Sequence, residues 1–428
     1  MSTLSTTQRT QLDRWLQWSL AIGAGALLVC VIGAPLSPEQ FFRSYLAAYL
    51  FVLGIPLGCM SILMVYYLTG GAWGFLVRRV LEAAMRTLPL MAILFIPIAM
   101  DFPVPGQPLE VHRGPEVRIG GLRYLYPWAR PDVVEADEDL QHKKIYLNAP
   151  FFWARAGLFF VLWCGIAWQL SLCSRREDET GDDRWSRRLV RLSGPGLVIY
   201  GVSITFASID WVMSLQPAFR STIFGPVFAS GQLISAMAFA VIVMAWLVWR
   251  PPLSRLVSAD ALNDIGSLVF TFLVVWAYVS YFQFMLVWIA NLPYDAIFYL
   301  PRSRGGWQWV AAGIAGIGFA IPFFCLLMRD VKRDPRSLAQ VCGLILFMQL
   351  VSTDWQVLPV FTGTTIADHW MDLLAPVGIF GIWLAFFFWQ LRRRPVLPRH
   401  DVNQESAAHL RHLDEEATAR AEEDRPDA

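Results

Sequence analysis

Two aspartates stand where hydrophobic runs end. Asp210 lies in "FASIDWVMSLQP" (206–217) and Asp354 in "STDWQVLP" (352–359), each followed by a tryptophan and then, a few residues on, a proline. An ionisable side chain inside a membrane span costs about 2.5–3.5 kcal/mol on insertion scales, so each such residue needs a partner or a role. Carboxylates desolvated among helices can exchange protons near neutral pH. Asp210 and Asp354 are therefore candidate relay acids, with Trp211 and Trp355 closing their apolar side. Arg155, in "NAPFFWARAGLFF", is a candidate anchor about ten residues, or roughly 15 Å, into its run. Glu82 and Arg86, four apart in "VRRVLEAAMRTLP", form a candidate i, i+4 ion pair, and with Asp264 they are candidates for proton uptake. His369 and Asp372, which open the last apolar run, are further candidates for the proton relay. Tyr278, Tyr281, Gln283 and Asn291 supply hydrogen-bonding groups in another, and the eight-residue spacing of Gln283 and Asn291 predicts a shared helix face.

The elements that must position these groups are membrane helices. Hydrophobic residues make up 56% of the chain and charged residues 16%, with a mean hydropathy of +0.45, a balance unlike that of a soluble globular protein. Apolar windows long enough to cross a bilayer fall near 15–33, 41–68, 79–100, 145–173, 189–213, 222–249, 264–292, 307–328, 337–360 and 369–391. The reading is an all-α polytopic membrane protein of ten helices.

Basic residues collect in the odd-numbered connections: Arg9 and Arg14, Arg78 and Arg79, the run from Arg175 to Arg188, Arg250 and Arg255, Arg329 to Arg336, and Arg392 to Arg394. Short cytoplasmic loops carry this excess, which puts both termini in the cytoplasm. Asp210, Asp354, His369, Asp372 and the polar half of the seventh span then share the outer third. A membrane domain is expected over 1–394, with 101–144 as a long exterior covering loop, followed by a charged cytoplasmic tail over 395–428. The polar N-terminus has no cleavage site after its first apolar run and reads as a retained start.

Several chemistries find no residues. None of the six histidines lies well inside a span, as haem ligation in a bundle requires, and CxxCH, CxxC, P-loop and HExxH patterns are absent. The six cysteines read as small buried hydrophobes. The net charge of +1 is spread over short clusters, which excludes a nucleic-acid stripe. No cofactor is expected on this chain, so any electrons must pass through partner subunits.

The segments "RSYLAAYLFVLGIPLGCMSILMVYYLTGGAWGFLVRRVLEAAMRTLPL" (43–90), "LYPWARP" (125–131), "KKIYLNAPFFWARAGLFF" (143–160), "TFASIDWVMSLQPAFRSTIFG" (205–225) and "WAYVSYFQFMLVWIANLP" (276–293) resemble the NrfD and polysulfide-reductase type of membrane subunit. The nearest resemblance is to the second quinone-binding-type subunit of alternative complex III. It implies ten helices containing two four-helix bundles and a place in the bacterial inner membrane. It also implies membrane and exterior partners carrying haem c and iron–sulfur clusters, quinol as the complex's reductant, and cytochrome c or a terminal oxidase as acceptor.

The chain departs from that pattern at Gln216, where an acid is expected, at Tyr66 and Tyr67, where histidines can stand, and upstream of Asp354, where an arginine is expected. On this reading the chain scaffolds its partners, with proton conduction or quinone contact as further roles. A secondary transporter, suggested by the Asp-Trp echo, and a purely structural anchor are the alternatives.

Overall fold

The computed structural model describes residues 6–99, 101–103, 118–248, 259–362 and 369–394; the expected tail over 395–428 lies outside the described residues. Among the described residues, ten helices are long and apolar enough to cross a membrane, as expected of a multi-pass membrane protein. They are span 1 (Thr6–Gly33), span 2 (Pro38–Thr69), span 3 (Ala72–Met85, Leu88–Leu94 and Ile96–Ala99), span 4 (Ala149–Thr180) and span 5 (Asp183–Trp211). Span 6 (Phe224–Val248), span 7 (Ala259–Ala290), span 8 (Trp307–Gly313, Ile314–Ala320 and Ile321–Leu327), span 9 (Pro335–Val357) and span 10 (Trp370–Leu391) complete the set.

Local chemistry sets the helix ends. Asn148, Asp182 and Asp334 cap spans 4, 5 and 9 by accepting from backbone N–H groups two or three residues on. Gly70 and Gly71, at φ +69° and +108°, make the tight reversal between spans 2 and 3, a conformation that favours glycine. Span 3 is interrupted at Arg86–Thr87, just before Pro89, which cannot continue the hydrogen-bond ladder. Span 8 carries a π-helical segment over Ile314–Ala320.

Span 2 is buried along nearly its whole length. Span 6 packs tightly against it because two glycines remove the obstruction: a Cβ on Gly58 would lie 2.3 Å from the Gln232 carbonyl oxygen, and one on Gly54 would lie 3.1 Å from the Gln232 side chain. Spans 1 and 10 meet the same way, with Gly23 against the Gly381 backbone. In lipid, where apolar surface gives no drive for helices to associate, such small-residue contacts let backbones approach closely. Span 2 also packs against spans 3, 5 and 10, and span 5 against span 4. Span 6 packs against spans 7 and 9, and span 9 against span 8.

Side-chain contacts between helix ends sort into two sides. On one, Asp13 meets Arg392, Arg79 meets Asp178 and Asp260 meets Arg333. On the other, Gln40 meets Asp372 and Arg155 meets Asp210. The described parts of the connection after span 3 fold over this second side. Strands β1 (Asp101–Pro103) and β2 (Arg118–Gly120) pair antiparallel, and short helical turns follow over 121–143. Tyr126 donates to the Trp211 carbonyl at 3.1 Å and Trp128 Nε1 to Ser214 Oγ at 3.1 Å, so the described part of the loop packs over the ends of spans 2, 4 and 5.

Candidate functional site

The first Asp-Trp exit is a closed ion pair. Asp210 and Arg155 are both buried, and the guanidinium meets the carboxylate twice, Nε to Oδ2 at 2.7 Å and Nη2 to Oδ1 at 3.0 Å. Nη1 donates to the Tyr146 carbonyl at 2.9 Å, and the guanidinium carbon lies 3.9 Å from the Tyr146 ring centroid and 4.3 Å from that of Phe151. Trp211 is fully buried against Phe95, Phe159, Phe160 and Trp163. The sequence-based depth count set Arg155 apart from Asp210; the structure corrects it. Span 4 begins at Ala149, capped by Asn148, so Arg155 is only about 9 Å into the helix and level with its partner.

The second exit is built on the same plan with a different outcome. A buried arginine again stands beside the Asp-Trp, but it is Arg302, from the connection between spans 7 and 8. Its Nε donates to the Trp355 carbonyl at 2.9 Å, Nη2 to the Gln356 carbonyl at 2.5 Å, and Nη1 to the Phe298 carbonyl and to Gln216 Oε1, the latter at 3.3 Å. The guanidinium carbon sits 3.6 Å from the centroid of Phe298. Burial pushes Arg302 down to about 9, opposed by Tyr299, and the group remains a cation at neutral pH. Asp354 is half-buried, and its carboxylate has no hydrogen bond or ion pair among the described residues. It lies within electrostatic reach of Asp372, which accepts from Gln40 at 2.9 Å and Ser44 at 2.5 Å.

Beside this exit a cavity of about 720 Å³ opens between spans 6, 7, 8 and 9. Its walls are largely apolar and rich in aromatic side chains, and the π-helical turn of span 8 contributes Ile314, Ala315 and Phe319. Gln283, Arg302, Ser352, Trp355 and Gln356 bring polar atoms to it. Tyr278 and Tyr281, 65% and 64% exposed, stand at the cavity where it meets the outside of the bundle. Asn291 does not share the face of Gln283 as the spacing predicted. The helix ends at Ala290, and Asn291 turns out at φ +48°, exposed. His369 caps span 10, its Nδ1 accepting from Met371 N–H at 3.3 Å.

On the other side, Glu82 lies at the centre of a buried ionic cluster. It meets Arg78 at 3.0 Å, Arg79 at 2.8 Å, Arg394 at 3.3 Å, Ser174 at 2.6 Å and Tyr67 at 3.2 Å. Glu177 and Asp178 face Arg78 and Arg79 in turn. Three guanidinium groups thus balance three carboxylates. The expected Glu82–Arg86 ion pair does not form: the Arg86 N–H still donates to the Glu82 carbonyl at 3.2 Å, but the Glu82 carboxylate is taken by Arg78, Arg79 and Arg394, and Arg86 Nη2 turns to the Gln390 carbonyl at 3.4 Å. Asp264 is exposed on the second turn of span 7, apart from this cluster.

Arg302, Ser352, Gln356 and Gln216 were missed as site residues by the sequence reading. The available signal was a basic residue in a short loop on the side otherwise poor in them. Among the described residues no three His, Cys, Asp or Glu side chains come together to hold a metal ion. No protein-family model matches the chain, and no curated protein matches it significantly.

Proposed function

We propose that the chain is an integral subunit of a quinol-oxidising respiratory complex of the alternative complex III type, with both termini in the cytoplasm of a bacterial cell. Its work is to scaffold partner subunits that carry haem c and iron–sulfur clusters and to carry protons at the outer surface. The observation that carries this reading is the pair of Asp-Trp exits. They lie on spans 5 and 9, four helices apart, each with a buried arginine beside it. The packing of spans 2–5 and of spans 6–9 supports two four-helix bundles related as a parallel repeat.

The two exits then divide the labour. A carboxylate held by two guanidinium N–H groups is a fixed structural pair, so Asp210 anchors the first bundle to its covering loop. Asp354 has no such partner among the described residues, and it is the relay acid of the pair. Asp372, held by hydrogen bonds from Gln40 and Ser44, is the next acid within its electrostatic reach.

The transporter reading draws less support. The break in span 3 and the π-helical turn in span 8 do not fall on corresponding helices of the two halves, whereas carrier sites use corresponding interruptions. An anchor without further role would leave neither an unpaired Asp354 nor a cavity beside it. The test is an Asp354→Asn substitution in the assembled complex: quinol-driven proton release should fall while the subunits remain together. Unchanged release would remove the relay role.

A further inference from the structure

The buried charge of Arg302 is not met by the described protein. Arg302 is 2% exposed, and all four of its contacts are to neutral oxygens: the carbonyls of Phe298, Trp355 and Gln356 and the amide of Gln216. Among the described residues no carboxylate pairs with it. The corresponding arginine of the first exit, Arg155, is met by Asp210. A guanidinium buried beside a helical bundle without a counter-charge is costly, and hydrogen bonds to carbonyls offset only part of that cost.

The same residue lines the cavity, and the cavity holds further polar groups with unused capacity. Gln283 is 3% exposed and Ser352 is 5% exposed, and neither side chain makes a hydrogen bond among the described residues. Trp355 Nε1 is buried without an acceptor. Ser352, Trp355 and Gln356 are three and four residues apart on one helix, so they present to the cavity together. The remaining wall is mostly apolar, with Ser280, Ser303 and Gln308 as further polar members, and Tyr278 and Tyr281 border it at the outside of the bundle. At about 720 Å³ the cavity falls in the roughly 300–1,000 Å³ range of sites that enclose a small ligand.

We propose that this cavity binds an anionic amphiphile from the membrane, its acidic head neutralising Arg302 and accepting from Ser352 and Trp355 while its acyl body lies along the aromatic walls. The head chemistry is a phosphate or carboxylate, from an acidic phospholipid or a free fatty acid. This goes beyond the respiratory reading and does not depend on it: the site would be present whatever the assembly does. A neutral ring such as a quinone would fill the apolar part but leave the Arg302 charge uncompensated.

The test uses the full chain, or the complex it purifies with, in a mild neutral detergent, with thermal stability followed as lipid is added. Phosphatidylglycerol or oleate should raise the midpoint and phosphatidylcholine should not; which of the two acids acts identifies the source. Arg302→Gln should weaken the response roughly tenfold or more, the loss of one charge-assisted contact. Ser352→Leu keeps Arg302 and fills the head-group space, so it should weaken the response as well and guards against misfolding of the first variant. Equal responses to phosphatidylcholine and phosphatidylglycerol, or an undiminished response in both variants, would overturn the proposal. So would native mass spectrometry showing only a neutral ligand bound in an Arg302-dependent manner.

Discussion

Breaking the Arg155–Asp210 pair should be the most damaging single change on that side of the helices. In Asp210→Asn the guanidinium keeps its position between Tyr146 and Phe151 but loses the counter-charge that meets it at 2.7 and 3.0 Å, leaving only the neutral Asn amide oxygen and the Tyr146 carbonyl as acceptors. Arg155→Met leaves the converse, a carboxylate 1% exposed without a cation. Removing one partner of a buried pair costs about 3–5 kcal/mol, whereas replacing both with hydrophobes of similar size is often neutral. The double variant Arg155→Met/Asp210→Leu should therefore lie within about 1 kcal/mol of the wild type and well above either single variant. Reversible unfolding in mixed micelles, read as free energies around the double-mutant cycle, measures this directly. Single-variant losses below about 1 kcal/mol, or a double variant whose loss equals the sum of the singles, would refute the claim that the pair is a desolvated structural anchor.

Asp354→Asn should leave stability within about 1 kcal/mol, since no described group pairs with that carboxylate, and its effect should appear in proton release. Gln216→Glu would place a carboxylate where Oε1 now meets Arg302 at 3.3 Å; we expect a gain of about 1–3 kcal/mol in thermal or chemical unfolding and a weaker response to acidic lipid. Gly58→Ala should cost about 1–3 kcal/mol because its Cβ would meet backbone 2.3 Å away, while Gly165→Ala, with open space at its Cβ, should be neutral or slightly stabilising in the same assay. Asp334→Ala should cost about 1 kcal/mol through the lost cap of span 9. The hydrogen bonds from Ser337 hold the Asp334 carboxyl below the usual carboxylate range, so this contribution is present above the ordinary carboxylate pKa and fades as pH falls through the lowered one.

The ten spans were legible because hydrophobic runs of bilayer length are a one-dimensional signal. Their ends were less so. Span 4 continues through Arg175, Arg176 and Glu177 to Thr180, and span 1 begins at Thr6, because a helix can extend into water where a hydropathy window has already closed. The break in span 3 was signalled only by Pro89, and a proline in an apolar run does not by itself say whether the helix bends or stops.

The site residues divide in the same way. Asp210, Arg155, Glu82 and Asp354 stood out as charges in apolar surroundings, but their pairing depends on which helices touch. Arg155 and Asp210 are 55 positions apart, and Glu82 takes Arg394 from 312 positions away. Arg302 was overlooked because it lies in a short connection, where an arginine normally reaches water; its burial arises only when Phe298, Gln216 and the end of span 9 close over it. The face shared by Gln283 and Asn291 failed for a plainer reason, that the helix stops one residue before Asn291.

Membership in a quinol-oxidising assembly is tested most directly by purifying the tagged chain from its native membranes in mild detergent and assaying the eluate for haem c, iron–sulfur clusters and quinol-dependent reduction of cytochrome c. The proposal predicts that all three co-elute with the chain. An isolated chain with none of them, showing solute counterflow after reconstitution, would contradict it.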